Sequence, residues 1–526
     1  MLSATENRFG GFSICRRPLR AIPTRRRRRS PARPAITAAA DTTLIVGGAL
    51  CVPGGQPPLG PTAIRIAGGR ISAVEPVAPD RLDSTNSGLI AMPAPANAHD
   101  HGRGLRTLAF GAADDRLECW LAALPREPRT DPYLNAAVAF ARMAEGGICA
   151  TNHCHGTQDR ARLFEEAEAV SRAAKDVGIR VAFAVPFMNR NRGAYGDIAK
   201  LIDMLDIDDR DAFVASQAPP QPITEMLAIV ERIATLEHDM FQVQYGPIGA
   251  QWISDEALIA LAQASAGTGR RMHMHLLETQ RQREWADSAY PGGLINFLDE
   301  IGFLSPRLTV AHGVWLTPQE CEVLAERGVT LVVNLSSNLR LRSGLPPVQT
   351  FQNAGLSFGI GLDASSFDDD EDMLREIRLV WRNYRGFGGT DILARRDVFD
   401  TALLHGRRTV VGHDGGGGLA VGAPADIMVL DLARMSADFA YAGFDIADLL
   451  LTRMTKHHLK RLIVGGRTIV ENGACTCVDR PGLESALLES ATAARTASPP
   501  DNGRIGRLQG AIDSYYRAGF HMEGGR

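Results

Sequence analysis

Seven of the thirteen histidines in this 526-residue chain fall in four short stretches: NAHDH (97–101), NHCH (152–155), HMHLLET (273–279) and TVAHG (309–313). An aspartate, Asp363, closes a fifth, FGIGLD (358–363). In an extended segment residues i and i+2 point the same way, so His99 and His101 can close on one ion together. Neutral imidazoles with a carboxylate suit Zn²⁺ or Fe²⁺, with a position left open for water. His275 and Glu278 stand three apart where an apolar run meets helical spacing. The imidazole can hold the ion while the carboxylate shuttles protons beside the reacting atom; alternatively, Glu278 only complements a helix N-terminus. His273 shares a face with His275 and either lines the pocket or supports a ligand. His312 ends a buried apolar run, where an unpartnered imidazole is costly; it can polarise a substrate or hold the attacking water. Asp363 either binds the metal or accepts a proton from its water. The acids that follow, DDDED (368–372), read as a solvated loop. His153 and His155 either shape a substrate pocket or are structural.

These residues need a scaffold that brings distant strand ends together. Eight apolar runs precede or contain them, at 88–94, 147–152, 179–187, 241–246, 270–276, 308–313, 328–335 and 356–363. Stretches with apolar residues at i, i+3 and i+4, such as 162–178 and 255–269, lie between the runs. The alternation predicts an α/β fold, a (β/α)₈ TIM-like barrel with its functional groups at the C-terminal ends of the strands. No G-x-G-x-x-G follows the first strand, so a dinucleotide-binding sheet has no support. β-branched runs with Gly-rich turns bracket the barrel, predicting a small composite β-sandwich built from both ends of the chain. The expected division is a disordered Arg-rich leader (1–41), an N-terminal β-sandwich segment (42–92), the barrel (93–415), a C-terminal β-sandwich segment (416–478) and a C-terminal helical extension (479–526), broken at SPPDNG (498–503).

Bulk properties narrow the function. Composition is 45% hydrophobic and 22% charged with net charge −3, which points to no nucleic acid or membrane surface as partner. The exception is residues 1–40, with ten arginines, five consecutive at Arg25–Arg29, against one acid, Glu6. No apolar segment follows them as in a secretory signal, so a disordered tail is the simpler reading. The eight cysteines contain no Cys-x-x-Cys pair, which fits a reduced, cytoplasmic protein.

Taken in order, NAHDH, HMHLLET, AHGVWL (311–316), NLSSNLRLRSGLPPV (334–348), GIGLDASS (359–366) and VGAPADIMVLD (421–431) resemble the amidohydrolase superfamily. Within it, they resemble the branch of cytosine and guanine deaminases and triazine hydrolases. The resemblance covers about residues 42–475. It implies metal ligands His99, His101, His275 and Asp363, a proton shuttle at Glu278, and His312 orienting the attacking hydroxide. It places Asn338 in a Ser-Asn segment near the pocket mouth. The first motif departs from the family in reading MPAPANAHDH, without the proline-glycine that usually precedes the Asn. Binuclear branches carry a bridging lysine at the end of the fourth strand. FQVQYGPIGAQW (241–252) has none, so one divalent ion is expected, Zn²⁺ or alternatively Fe²⁺. In the same segment Gln251 and Trp252, an amide and an indole, suit a flat heterocycle.

The implied chemistry is attack by a metal-activated hydroxide on an sp² carbon of a nitrogen-rich small molecule, with deamination favoured. The alternatives are hydrolysis of a cyclic amide C–N bond, and expulsion of chloride or an alkylamine from a triazine-like ring. A catalytically silent homologue serving in assembly is a remote alternative, since every ligand position is filled. By analogy with the family, the chain is expected to form a homo-oligomer.

Overall fold

The computed structural model describes residues 41–191, 193–216, 220–440 and 443–523. Eight parallel strands hydrogen-bond in sequence order: β1 (Ala96–Asp100), β2 (Ala150–Cys154), β3 (Arg180–Phe187), β4 (Phe241–Pro247), β5 (Met272–Leu276), β6 (Leu308–His312), β7 (Thr330–Val333) and β8 (Phe358–Ile360). The ring is completed just beyond β8, where the Asp363 N–H donates to the His99 carbonyl (3.0 Å) and the Leu362 N–H to Asn97 Oδ1 (2.9 Å). The (β/α)₈ barrel expected from the alternating runs is therefore present. The helices that matter below are α1 (Leu117–Leu121) and α2 (Pro132–Glu145) after β1, α3 (Leu163–Val177) after β2, α4 (Gln280–Ala289) after β5, α5 (Leu335–Arg340) after β7 and α6 (Met373–Tyr384) after β8. Two more, α7 (Arg480–Ala497) and α8 (Asn502–Arg517), follow the barrel and are separated near the expected SPPDNG break.

One strand assignment is corrected. The run at 88–94 is not the first barrel strand; Leu89–Pro93 pairs antiparallel with Ile427–Asp431 in a six-stranded flanking sheet. Pro93 and Pro95 explain the change. A proline has no N–H to give a ladder and biases the residue before it to extended backbone. The chain leaves the flanking sheet there and re-enters pairing as β1, which itself carries His99.

The flanking sheet runs, in spatial order, through Ala474–Cys475, Arg467–Glu471, Leu459–Val464, Ile427–Asp431, Leu89–Pro93 and Gly48–Ala49. A three-stranded sheet of Thr42–Val46, Thr62–Ala67 and Arg70–Pro76 lies against it, and both contribute to one apolar cluster that includes Val46, Ile64, Ile66, Ile427, Val429 and Ile463. Both ends of the chain thus build one core. A buried ion network ties it to the barrel. Asp426 accepts two bonds from Arg180 at the start of β3 (3.1 and 3.2 Å), and lies 2.7 Å from Arg407, which also pairs with Asp414. Arg407 is only 2% exposed, so its buried guanidinium depends on the two carboxylates together for its charge balance.

No helix among the described residues is long and apolar enough to cross a membrane, and none of the seven described cysteines is paired. The arginine-rich leader lies outside the described residues apart from Asp41.

Candidate metal and proton-transfer site

His99, His101, His275 and Asp363 arrive from β1, the residue after it, β5 and the turn after β8, and their ligand atoms converge. His99 Nε2 lies 3.0 Å from Asp363 Oδ1, and His101 Nε2 lies 3.2 Å from the same oxygen. His101 Nε2 is 3.4 Å from His275 Nε2. A tetrahedral ion with ligands at about 2.0–2.1 Å has ligand–ligand edges of roughly 3.3 Å, so this spacing fits a Zn²⁺-sized cation. The far ring nitrogens agree. His101 Nδ1 donates to the Cys154 carbonyl (2.9 Å) and His275 Nδ1 to the Ile248 carbonyl (2.7 Å). A carbonyl only accepts, so both rings carry hydrogen on Nδ1 and turn an Nε2 lone pair inward. His99 Nδ1 meets His273 Nε2 at 2.7 Å, while its own Nε2 is buried with no hydrogen-bond partner. That orphaned nitrogen, facing a carboxylate and two imidazoles, is what a cation site requires.

Electrostatics reinforce the geometry. Burial holds His99 and His275 below the ordinary imidazole range, which favours the neutral, ligating form. Burial alone would raise the Asp363 carboxyl; His99 and His101 outweigh it and hold Asp363 well below the usual carboxylate range. The backbone is strained at the same points. His312, Asp363 and Leu277 adopt left-handed φ values of 77°, 56° and 46°. Such conformations cost about 1–3 kcal/mol each and persist where the surroundings enforce them. Next to Asp363, Gly361 admits no side chain, because a Cβ there would stand 2.3 Å from Asn334 Oδ1 and 2.9 Å from the His99 backbone.

Glu278 and His312 face each other beside these ligands. Glu278 Oε1 accepts from Ser343 Oγ (3.0 Å), and Oε2 lies 3.6 Å from His312 Nε2. Burial, with the negative charge of Asp363 second, pushes the Glu278 carboxyl well above its ordinary range. Burial pushes the His312 imidazole down to about 3, so it is neutral. The Asn338 side-chain amide donates to His312 Nδ1 (3.0 Å), which leaves the proton on Nε2, directed toward Glu278 and toward Asp363 Oδ2 at 4.0 Å. A buried carboxyl able to hold a proton and an imidazole N–H thus flank one side of the ligand cluster.

The remaining sequence candidates are placed differently. Asn338 is fully buried rather than near the mouth, with its amide against His312 Nδ1. His273 is fully buried behind His99 and presents no surface to a cleft. His153 points out of the barrel. Its ring stacks on Phe183 and meets the edge of Phe140, and its Nε2 contacts His155 Nδ1 at 3.1 Å. His155 in turn contacts Glu166 at 2.9 Å. Gly102 (φ 60°) leaves room for this ring, since a Cβ would come within 2.4 Å of His153 Nδ1. His153 and His155 still border a cleft that reaches His101, between the loops after β1 and β2. Gln251 and Trp252 form a short turn after β4, 3% and 8% exposed, with Trp252 packed edge-on to Tyr195.

Sequence reasoning missed four contributors. Cys154 is the inward-facing residue at the end of β2, clustered with His99 and His273, its thiol pushed by burial up to about 12. The parity of β2 alone, with Asn152 bonded inside the barrel to Ala98 and Thr409, would have selected it over His153. Ser337 donates to Asp363 Oδ2 (2.6 Å), Asn334 reaches His312 Nδ1 at 3.4 Å, and Ser343 holds Glu278. The segment 368–372 is not a solvated loop. Glu371 is fully buried against Arg106, Asp370 pairs with Arg375 and Lys456, and Asp372 caps α6.

Behind this site, Glu376 of α6 accepts from the Ser336 N–H (2.9 Å) and from its hydroxyl, and burial raises the carboxyl to about 7. A folded-state pKa above the unfolded one means the folded protein holds the extra proton. The contribution is full below about pH 4 and is lost as pH rises through 7. Glu376→Gln keeps both bonds without ionising. Its melting temperature should therefore fall less between pH 6 and 8 than that of the parent, by the equivalent of about 1 kcal/mol. Equal slopes in paired thermal melts would refute this.

A model of the Amidohydrolase family matches residues 90–467, a span that takes in all of these groups. The chain belongs to this amidohydrolase family. Among relatives of this amidohydrolase, the 5′-deoxyadenosine deaminase of Methanothermobacter thermautotrophicus is 28% identical over 67% of this chain and 75% of the relative. The 5-methylthioadenosine/S-adenosylhomocysteine deaminase of Nitratidesulfovibrio vulgaris is 28% identical over 85% of this chain and 93% of its own. Among solved structures, a zinc-bound adenosine deaminase from Xanthomonas campestris superposes with TM-score 0.70 at 22% identity, covering 86% of this chain and 98% of that one. The zinc complex of atrazine chlorohydrolase from Arthrobacter aurescens TC1 superposes with TM-score 0.67 at 22% identity, covering 85% and 98%. These superpositions establish a shared fold.

Proposed function

We propose that this amidohydrolase is a mononuclear metal-dependent deaminase of an adenine nucleoside altered at its 5′ carbon. Deaminase names among the full-length relatives support the reaction class, and two of those names specify 5′-modified adenosines. The observation that carries the reading is the buried Glu278 carboxyl, held by Ser343 with His312 Nε2 3.6 Å away, next to Asp363 and the imidazoles of His99, His101 and His275 that gather about it. His99, His101, His275 and Asp363 would hold one divalent cation, assigned as Zn²⁺. No lysine stands near the end of β4 to bridge a second ion. When bound, the cation supplies the Lewis acidity that lowers the pKa of water from near 16 toward about 7.

The chain's own groups do the rest. Glu278 takes one proton from the attacking water and delivers it to the departing amino nitrogen, which leaves as ammonia, while the second water proton ends on the ring nitrogen beside the new carbonyl. His312, fixed by Asn338 with its hydrogen on Nε2, donates to the oxygen that becomes the product carbonyl. Asp363 Oδ2, held by Ser337, keeps the carboxylate oriented for its ligand role. His273 fixes the tautomer and plane of His99. Replacing it, as in His273→Phe, should weaken metal affinity about 10–100-fold, read by competition with a chromophoric chelator. Unchanged affinity would remove that role from His273.

The test of function is ammonia release, with product mass, from 5′-deoxyadenosine, 5′-methylthioadenosine, S-adenosylhomocysteine, adenosine, guanine and a chlorotriazine by zinc-loaded protein. Turnover of 5′-modified adenosines with a gain of about 1 Da in mass, an amino group replaced by a carbonyl, is expected. Preference for the chlorotriazine, or for none of the nucleosides, would overturn the assignment.

A further inference from the structure

The C-terminal helix α8 ends far along the chain from any residue discussed so far, yet it is joined by hydrogen bonds to the segment that carries Glu278. Thr279, the next residue, donates from Oγ1 to Glu118 Oε1 at 2.6 Å. The same oxygen accepts from the Tyr195 hydroxyl at 2.9 Å. Glu118, Thr279 and Tyr195 are 7%, 6% and 1% exposed, so this node sits in the interior. Tyr195 is gripped on both sides by α8: its N–H donates to the Tyr516 hydroxyl (3.1 Å), and its carbonyl accepts from the Tyr515 hydroxyl (2.7 Å). Helix α1, which bears Glu118, is held to α8 as well. Gln509 donates to the Cys119 carbonyl (3.0 Å), and Arg116 pairs with Asp513 at 2.6 Å.

We infer that Glu118 is a positioning residue for Glu278, and that α8 anchors it. Thr279 also caps α4 by accepting from the Gln282 N–H (3.2 Å), and the Glu278 N–H donates to Gln282 Oε1 (2.8 Å). The backbone on either side of the Glu278 side chain is thereby fixed from two directions, by α4 through Gln282 and by α8 through Glu118. Leu277, immediately before, is in the left-handed region, so the turn is held against its own preference. Glu118 has hydroxyl partners where a buried carboxylate ordinarily has a cation, an expensive arrangement for packing alone. From helix α1, in the loop region after β1, its one oxygen reaches the loop after β3 and the loop after β5. Those three loops bound the face of the barrel where Glu278 works.

The inference rests on the reading of Glu278 as proton carrier, and two measurements separate them. On the full-length, zinc-loaded protein, Thr279→Val and Glu118→Ala should lower kcat about 10–100-fold with KM within twofold and metal content unchanged. Thr279→Ser should restore kcat to within about threefold. The double variant should be no worse than the more impaired single one, because both remove one connection. Independently of turnover, amide hydrogen exchange of segment 275–284 should quicken in Glu118→Ala and in Tyr516→Phe. In Glu118→Gln, whose oxygen still accepts both hydroxyls, it should stay as in the parent. Unchanged exchange in Glu118→Ala and Tyr516→Phe, or a loss confined to KM or metal content, would overturn the inference. Where Glu118→Ala does not fold, the Thr279 pair and Tyr516→Phe decide it. A parent protein that turns over no substrate would instead sink the deaminase reading, and the exchange data would still decide the positioning role.

Discussion

Glu278→Gln is expected to bind metal to full occupancy and to lose about 10²–10⁴-fold in kcat, the usual worth of a positioned proton carrier. The substitution is nearly isosteric, and its amide can still accept from Ser343 Oγ, so the fold and the ligand set are left in place. What is lost is the capacity to take a proton from water and release it to nitrogen. Burial and the nearby Asp363 charge hold the Glu278 carboxyl well above its ordinary range, which suits it to carry a proton at neutral pH. Elemental analysis and kcat measured on the same preparation check this. Full activity in the zinc-loaded variant would remove Glu278 from the mechanism.

Asp363→Ala should behave in the opposite way, losing metal and turnover together, with activity down by at least about 10³-fold. Its Oδ1 is the atom that both His99 and His101 approach, at 3.0 and 3.2 Å. Without it, three imidazole nitrogens face one another with no anion between them. The loss should also appear in stability. A cation that binds only the folded state at about a thousandfold above its Kd adds roughly 4 kcal/mol. Added zinc should therefore raise the melting temperature of the chelator-stripped parent and leave that of Asp363→Ala unmoved. Wild-type zinc occupancy in the variant would exclude Asp363 as a ligand.

What could be read from sequence, and what could not, divides along a physical line. The alternation of apolar runs with helical spacing reports burial, and burial determines the barrel. His275, His312 and Asp363 were recognisable because each ends such a run, and the His-x-His of β1 by its own spacing. The error at 88–94 arose because an apolar run says that a strand is buried but not in which sheet; Pro93 and Pro95 held that information. Asn338 and His273 were recognisable as polar residues near the site, while their place behind His312 and His99 depends on side-chain direction. His153 drew attention over Cys154 although the parity of β2 turns the cysteine inward. The role of residues 479–523 was beyond any local pattern. Tyr515, Tyr516 and Gln509 act through partners some 320–390 positions away, and no spacing rule spans that distance.

The pairing of Leu89–Pro93 with Ile427–Asp431 has a consequence for how the chain is made. During synthesis the earlier strand emerges more than three hundred residues before its partner, so one edge stays open while the whole barrel is translated. An unpaired edge that is apolar in sequence, LIAMP, invites pairing with another nascent chain. Any fragment ending before residue 427 carries that edge permanently, and slowing translation between the two strands lengthens its exposure. The segment that completes the flanking sheet therefore sets how long that edge stays open during synthesis.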